Sequence, residues 1–458
     1  MKSKIVGLTL IFIFFLSSCS PETTPTALAT LVPTATTAPT FTPTPVTYLP
    51  GLSMKVTEPD SAFIENVVSE NYLNVLGLTR EQVALTYKEH SSIDGQPYVV
   101  MVDTSTGVPL AIYTKGEWQK STLKFFGKQL GIAMGTDTAE DPSAFDKKVY
   151  EEFDWGTIAV GNFWQPTEPQ KGEIDYNELR KSNKVLQELK EAGITTKITH
   201  GILCSSDYPE WLKTGNFNQE ELRAIMKSRI EYVIRNTPDD FSYIVVNEPW
   251  EFDTPSQEYD VLYKAWGNSY DYITEAFRIA RETADAMGRK DVKLIFNNSD
   301  NHYEIGITSQ SSRQVVTMLK KENLIDYLGM QMHIGEWRPG AFDELMVPQM
   351  PAEIQFYKEL GVPVLITELT YQPDEHYALS EATSVLQPKE FEQRLSYIFG
   401  EVFRIAIESG NVKGITFWGL TDKWFKLDNV NWYQIFDENG QPKQAYYEVL
   451  RTLYEGIK

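Results

Sequence analysis

From Leu123 onwards the chain alternates eight short apolar runs with longer amphipathic stretches. The runs are residues 131–134, 158–160, 197–200, 243–246, 292–296, 328–331, 364–366 and 414–417. Runs of this length, rich in Val, Ile and Leu, read as strands buried on both faces, the condition of a parallel sheet. The stretches between them carry helical spacing. Residues 177–192 put Leu179, Val185, Leu186 and Leu189 on one face, and 220–235 and 259–287 read as further helices. Eight strand–helix units in about 330 residues predict an α/β fold, a (β/α)8 TIM barrel with insertions. An open doubly wound sheet is the alternative, but no Gly-rich phosphate loop follows the first run.

Two runs end in a glutamate: Val245-Val246-Asn247-Glu248-Pro249 and Leu365-Ile366-Thr367-Glu368-Leu369. A charge just past a buried strand is costly unless it faces a polar cleft. Each glutamate alone could serve a structural ion pair. Two of them suggest paired carboxylates aimed into one site, the equipment for breaking a glycosidic bond. They lie 120 residues apart with two runs between them, which places them on strands 4 and 7.

The first residues read as a targeting segment. Lys2 and Lys4 precede an apolar stretch, 5–16, that is too short to span a bilayer comfortably. Leu16-Ser17-Ser18-Cys19 resembles a bacterial lipobox, which implies a lipoprotein signal peptide over 1–18 and lipidation of Cys19. An ordinary secretory signal is the alternative. Residues 19–50 form a Thr/Pro-rich linker that cannot build a core. The expected location is the cell surface of an exported protein, with membrane contact through the lipid alone. Cys204 is the second of only two cysteines, so stability must come from a large core rather than disulfides. A net charge of −21 argues against nucleic acid as partner. No Cys/His cluster has zinc spacing and no Asp-rich calcium loop is evident, so neither metal nor cofactor is expected. A monomer is expected.

Residues 51–116 read as a small accessory α+β region ahead of a catalytic domain at 117–458. Val99 to Asp103 and Leu110 to Tyr113, joined through Ser105-Thr106-Gly107, form a hairpin, and 63–76 looks helical.

A further set of segments occurs in order: Thr167-Glu168-Pro169, His200, Pro209 with Trp211, Asn247-Glu248, Asn297, Gln331 with His333, Thr367-Glu368-Leu369, and Trp418-Gly419-Leu420-Thr421-Asp422-Lys423. Ile435-Phe436-Asp437, Lys443 and Ala445-Tyr446-Tyr447 follow. In this the chain from about Leu123 to Leu453 resembles glycoside hydrolase family 10, the endo-β-1,4-xylanase family. The resemblance implies retaining hydrolysis of β-1,4-glycosidic bonds in plant cell-wall polysaccharide, with Glu248 as acid/base and Glu368 as nucleophile. A retaining pair stands about 5–5.5 Å apart. It implies substrate contacts from Asn247, His200, Gln331, His333, Trp418 and Trp164, with His333 also holding the nucleophile ionised. Gln331 and His333 alternate along strand 6 and are expected to point the same way.

The chain also departs from the family pattern. Val160, Gly161 and Phe163 stand where the family carries a glutamate, an asparagine and a lysine. Cys204 and Ser205 replace a Trp and a His, and Lys426 replaces a second Trp, with Trp424 nearby. Lost polar contacts to sugar hydroxyls change discrimination by orders of magnitude. A retaining hydrolase of another β-glycan therefore stays open, as does a carbohydrate-binding lipoprotein that does not cut.

Overall fold

The computed structural model describes residues 48–457 apart from 92–94, 129, 137–148, 150, 159–162, 192, 238–240, 250–259, 300–306, 335–341, 372–387, 420, 423–425, 428–429 and 432. The signal peptide, Cys19, the linker to residue 47, Val160, Gly161 and Trp424 lie outside the described residues.

Each of the eight apolar runs falls on a strand in its described residues, the second through Ile158. In chain order the strands are Ile132–Thr136, Trp155–Ile158, Thr195–Thr199, Ser242–Asn247, Leu294–Asn298, Tyr327–Met330, Val364–Tyr371 and Val412–Trp418. Each pairs in parallel with the next. The eighth returns to the first through Ile415↔Ile132 to Trp418↔Gly135 and closes the ring. That closure excludes the open sheet. Inside the ring Ile198, Ile244, Ile295 and Leu365 pack with Trp155 and Tyr327. The larger core lies between the ring and the surrounding helices, among them Tyr176–Glu191, Gln219–Asn236, Asp271–Ala286, Ile307–Lys321, Pro388–Ser409 and Gln444–Gly456.

Local sequence explains where these helices start and stop. Asn218 accepts from the backbone N–H groups of Glu220 and Glu221, while the Glu221 carboxylate takes the Asn218 N–H, a reciprocal cap. The stretch read as one helix over 259–287 is two helices, Val261–Ala265 and Asp271–Ala286. Gly267 and Asn268 break it with left-handed φ values of 72° and 59°.

Ahead of the barrel, two helices, Ser61–Val67 and Glu70–Leu76, precede a four-stranded antiparallel sheet of Leu85–Ser91, Pro97–Asp103, Pro109–Thr114 and Glu117–Lys120. The hairpin read from the sequence is the central pair. The fourth strand carries the sheet past residue 116, so the expected boundary cuts through it. Within one compact unit, Thr47–Lys458, the sheet and helices lie against the C-terminal helix of the barrel. The Tyr72 and Tyr447 rings meet edge-on at 5.1 Å. Asn71 Nδ2 donates to the Pro442 carbonyl at 2.8 Å, and His90 Nε2 lies 3.1 Å from the Tyr454 hydroxyl.

Glu152 fastens the same helix to the barrel entrance. Its carboxyl accepts from Leu123 N at 2.8 Å and from the Tyr446 hydroxyl at 3.0 Å. Burial pushes its pKa up to about 7, against the Leu123 hydrogen bond and the Lys120 charge. A carboxyl with a raised folded pKa is tolerated best when neutral, so its contribution is complete below the unfolded value near 4.5 and is lost as pH rises through about 7. Urea midpoints for the parent are expected to fall between pH 5 and pH 8 by the equivalent of about 3 kcal/mol from this group. Glu152→Gln, measured beside it, is expected to lack that component. Equal pH slopes in the two proteins would refute the assignment.

Candidate active site

The carboxyl ends of six strands deliver the site. His200 follows the third strand, Asn247 ends the fourth and Glu248 follows it, Asn297 lies in the fifth, and Trp418 ends the eighth. Glu368 sits within the seventh strand rather than past its end. That strand runs on to Tyr371 because His333-Ile334 pairs with Thr370-Tyr371.

Several backbone features aim these side chains. Glu248 has φ 44°, a left-handed conformation that costs a non-glycine residue about 1–2 kcal/mol. The Ser205 hydroxyl, donating to the Glu248 carbonyl at 2.7 Å, and Glu248 N, donating to the Asn297 carbonyl at 3.2 Å, hold it there. Met332 is also left-handed, with φ 63°. The sixth strand ends at Met330, so strand alternation alone does not place Gln331 and His333. Gln331 reaches Glu248 and His333 reaches Glu368. Gly329 leaves room for Asn297, whose Oδ1 would lie 2.2 Å from any Cβ there.

Hydrogen bonds join six of the eight expected residues. Glu368 Oε1 lies 2.9 Å from His200 Nε2 and accepts from Asn297 Nδ2 at 2.7 Å. Its Oε2 lies 3.1 Å from His333 Nε2, and the far His333 nitrogen lies 2.8 Å from the Thr370 hydroxyl. Glu248 Oε1 accepts from Gln331 Nε2 at 2.5 Å. Asn247 links the two halves, because its Oδ1 accepts from Asn297 at 2.6 Å and from Gln331 at 3.3 Å. The Asn247 amide faces Cys204 Sγ at 3.5 Å, and Thr367 Oγ1 donates to Asn297 Oδ1 at 2.6 Å. The Trp418 ring lies 4.9 Å from the His200 ring, tilted by 38°, and Gln434 holds the Trp418 carbonyl at 2.5 Å.

The two carboxyls are pushed apart in acidity. Burial raises the Glu248 pKa, the nearby Glu368 charge raises it further, and the Gln331 hydrogen bond only partly opposes them. Burial would raise Glu368 too, but the charge and hydrogen bonds of His200 and His333 carry it well below the usual carboxylate range. The arrangement therefore provides one protonated and one ionised carboxyl in a single cleft. Among the described residues, no group of three or more His, Cys, Asp and Glu is placed to hold a metal ion.

Trp164 stays outside this cluster. It is buried between Tyr208 and Trp211, under the Arg229 guanidinium, and its indole N–H donates to Glu168 Oε2 at 2.8 Å. It packs a core instead of facing the cleft, a position that periodicity cannot distinguish from a cleft wall. His200, expected to meet a sugar hydroxyl, meets Glu368 through Nε2. Phe163 places its ring 6.5 Å from that of His200. Three contributors were given no role in the sequence reading: Asn297, Thr367 and Cys204. A pair of amides, Asn297-Asn298, closing an otherwise apolar strand was the available signal for the first.

Comparison with known proteins agrees with the fold. The profile of Glycosyl hydrolase family 10 matches residues 119–452. Endo-1,4-beta-xylanase B of Thermotoga neapolitana is 25% identical over 339 residues, covering 72% of this chain and 89% of that protein. An endo-1,4-beta-xylanase of Agaricus bisporus is 27% identical over 354 residues, covering 74% and 95%. Xylanase 10B of Thermotoga petrophila RKU-1, solved in complex with xylobiose, superposes with a TM-score of 0.63 at 23% identity, covering 75% of this chain and 100% of that one. Native xylanase 10B of Thermotoga maritima gives 0.61 at 22%, covering 74% and 99%. The likeness to the two solved structures is one of fold, whereas the profile spans most of the chain. On that match, the chain belongs to glycosyl hydrolase family 10.

Proposed function

We propose that this protein is a retaining endo-β-1,4-xylanase, held at the cell surface by a lipid on Cys19. The observation that carries the catalytic reading is the opposite bias of two carboxyls, a half-buried Glu248 and a buried Glu368, that share one hydrogen-bond network. In this reading Glu368 attacks the anomeric carbon while Glu248 gives its proton to the departing glycosidic oxygen, forming a glycosyl-enzyme. Glu248, now ionised, takes a proton from water, and the hydroxide so generated releases the sugar and restores Glu368. Asn297 and the two histidines keep Glu368 charged and oriented before substrate arrives. The xylan preference is supported by the xylanase relatives and by the xylobiose bound to one of them.

A second substrate, another β-1,4-glycan, is favoured by one feature. Cys204, Ser205 and Phe163, which replace family residues, all lie against Glu248, Asn247 or His200.

The test is to incubate residues 51–458 with xylan, mixed-linkage β-glucan, mannan and arabinan and resolve the released sugars. Xylo-oligosaccharides are the expected product. Release from another polymer alone would replace the substrate, and binding without any product would overturn the enzyme reading. Glu368→Gln is expected to lose at least about three orders of magnitude on every substrate. Glu248→Gln is expected to lose about 10²–10⁴-fold on xylan but far less in the first step on aryl glycosides with acidic leaving groups. Activity should fall as pH drops through the lowered Glu368 pKa, and fall again as pH rises through the raised Glu248 pKa. With the aryl substrate, Glu248→Gln should lose the alkaline limb only.

For the anchor, full-length protein expressed in a bacterial host is expected in the membrane fraction, and Cys19→Ala in the soluble exported fraction. A parent that is already soluble would refute lipidation.

A further inference from the structure

Cys204 occupies a position the reaction cannot ignore. It is buried, at 7% exposure, and its Sγ lies 4.0 Å from Glu248 Oε2, 3.5 Å from the Asn247 amide nitrogen and 3.1 Å from Ser206 Oγ. The two oxygens of Glu248 therefore differ. Oε1 accepts a short hydrogen bond of 2.5 Å from Gln331, which can only donate from that nitrogen. In the neutral acid, Oε1 is then the carbonyl-like oxygen and the proton sits on Oε2, the oxygen that faces sulfur. A thiol is a weak donor and a weak acceptor. It lies beside Oε2 and neither stabilises the carboxylate strongly nor traps the proton.

We propose that Cys204 is a positioning residue for the acid/base Glu248, leaving its proton-bearing oxygen without a strong hydrogen-bond donor. This inference rests on the hydrolase reading. The groups facing Glu248 are Glu368 from the seventh strand, His200 after the third, His333 and Gln331 after the sixth, and the thiol itself; Asp207 lies beyond the thiol. Burial and the Glu248 charge push the Cys204 thiol up to about 12, so it acts as a neutral group throughout the working range. Charge-assisted O–H···O⁻ bonds are roughly twice as strong as neutral ones, so a hydroxyl or an admitted water at this point would favour the ionised form of Glu248.

Two substitutions separate donation from packing. Cys204→Ser supplies a donor and space for water, whereas Cys204→Val supplies neither. The alkaline limb of kcat/KM is expected to move down by roughly half to one pH unit in the Ser variant and to stay with the parent in the Val variant. In parallel, the Glu248 carboxyl is titrated by carbon-13 NMR in parent, Ser and Val proteins labelled on glutamate, with Glu248→Gln supplying the assignment. That titration needs no turnover, so an inactive parent would defeat the hydrolase reading while still reporting the Cys204 effect. Equal Glu248 titrations in the Ser variant and the parent would overturn the proposal. So would an equal downward shift in both variants, which would mark general disturbance of packing. If the Val variant fails to fold, an unmoved Ser titration still overturns the proposal, and if the Ser variant fails to fold, a downward shift in the Val variant does.

Discussion

Two carboxyls facing one cleft cannot both be charged without severe cost, and the arrangement around Glu248 and Glu368 follows from that constraint. The fold meets it by unequal treatment. Glu368 receives two imidazoles and an amide N–H, which favour the ionised form. Glu248 receives one amide donor on one oxygen and a sulfur beside the other. The negative charge retained on Glu368 then helps keep Glu248 protonated. Each carboxyl is thus part of the reason for the state of the other, and Asn247 with Asn297 fixes their relative placement through a 2.6 Å hydrogen bond.

Such placement needs a frame that does not yield. A closed parallel ring brings strand ends far apart in sequence to one mouth, and its packed interior of Ile198, Ile244, Ile295 and Leu365 resists collapse. Regular strand geometry alone would aim some of these side chains wrongly. Left-handed backbone at Glu248 and at Met332 redirects them, at a conformational cost that the surrounding hydrogen bonds offset. Gly329 serves the same end by leaving room for the Asn297 amide.

The N-terminal sheet extends this frame away from the site. Its aromatic and polar contacts run to the C-terminal helix, through Tyr72 with Tyr447, Asn71 with Pro442 and His90 with Tyr454. Glu152 ties that same helix to the start of the barrel through Leu123 and Tyr446. The C-terminal helix and the added sheet are therefore part of one compact unit, Thr47–Lys458, consistent with a region too small to be stable alone.

The amino-acid sequence by itself determined the eight strands, the barrel and the placing of two glutamates near the carboxyl ends of the fourth and seventh strands. Apolar β-branched runs have few alternatives to burial as strands, and a carboxylate beside such a run has few places to point. Strand and helix ends were legible to within a few residues, except at Gly267-Asn268, where two left-handed residues split one apparent helix. What the sequence could not decide was which polar group faces which. The two-residue spacing of Gln331 and His333, on either side of the left-handed Met332, did not say that one would reach Glu248 and the other Glu368. Trp164 resembled a cleft residue until packing placed it under Arg229. Cys204 was a departure from a pattern until the closed ring set its sulfur beside Glu248, 44 residues further along the chain. Periodicity is a property of neighbours in sequence, whereas the acidity of a buried carboxyl depends on neighbours in space, and only the tertiary structure supplies those.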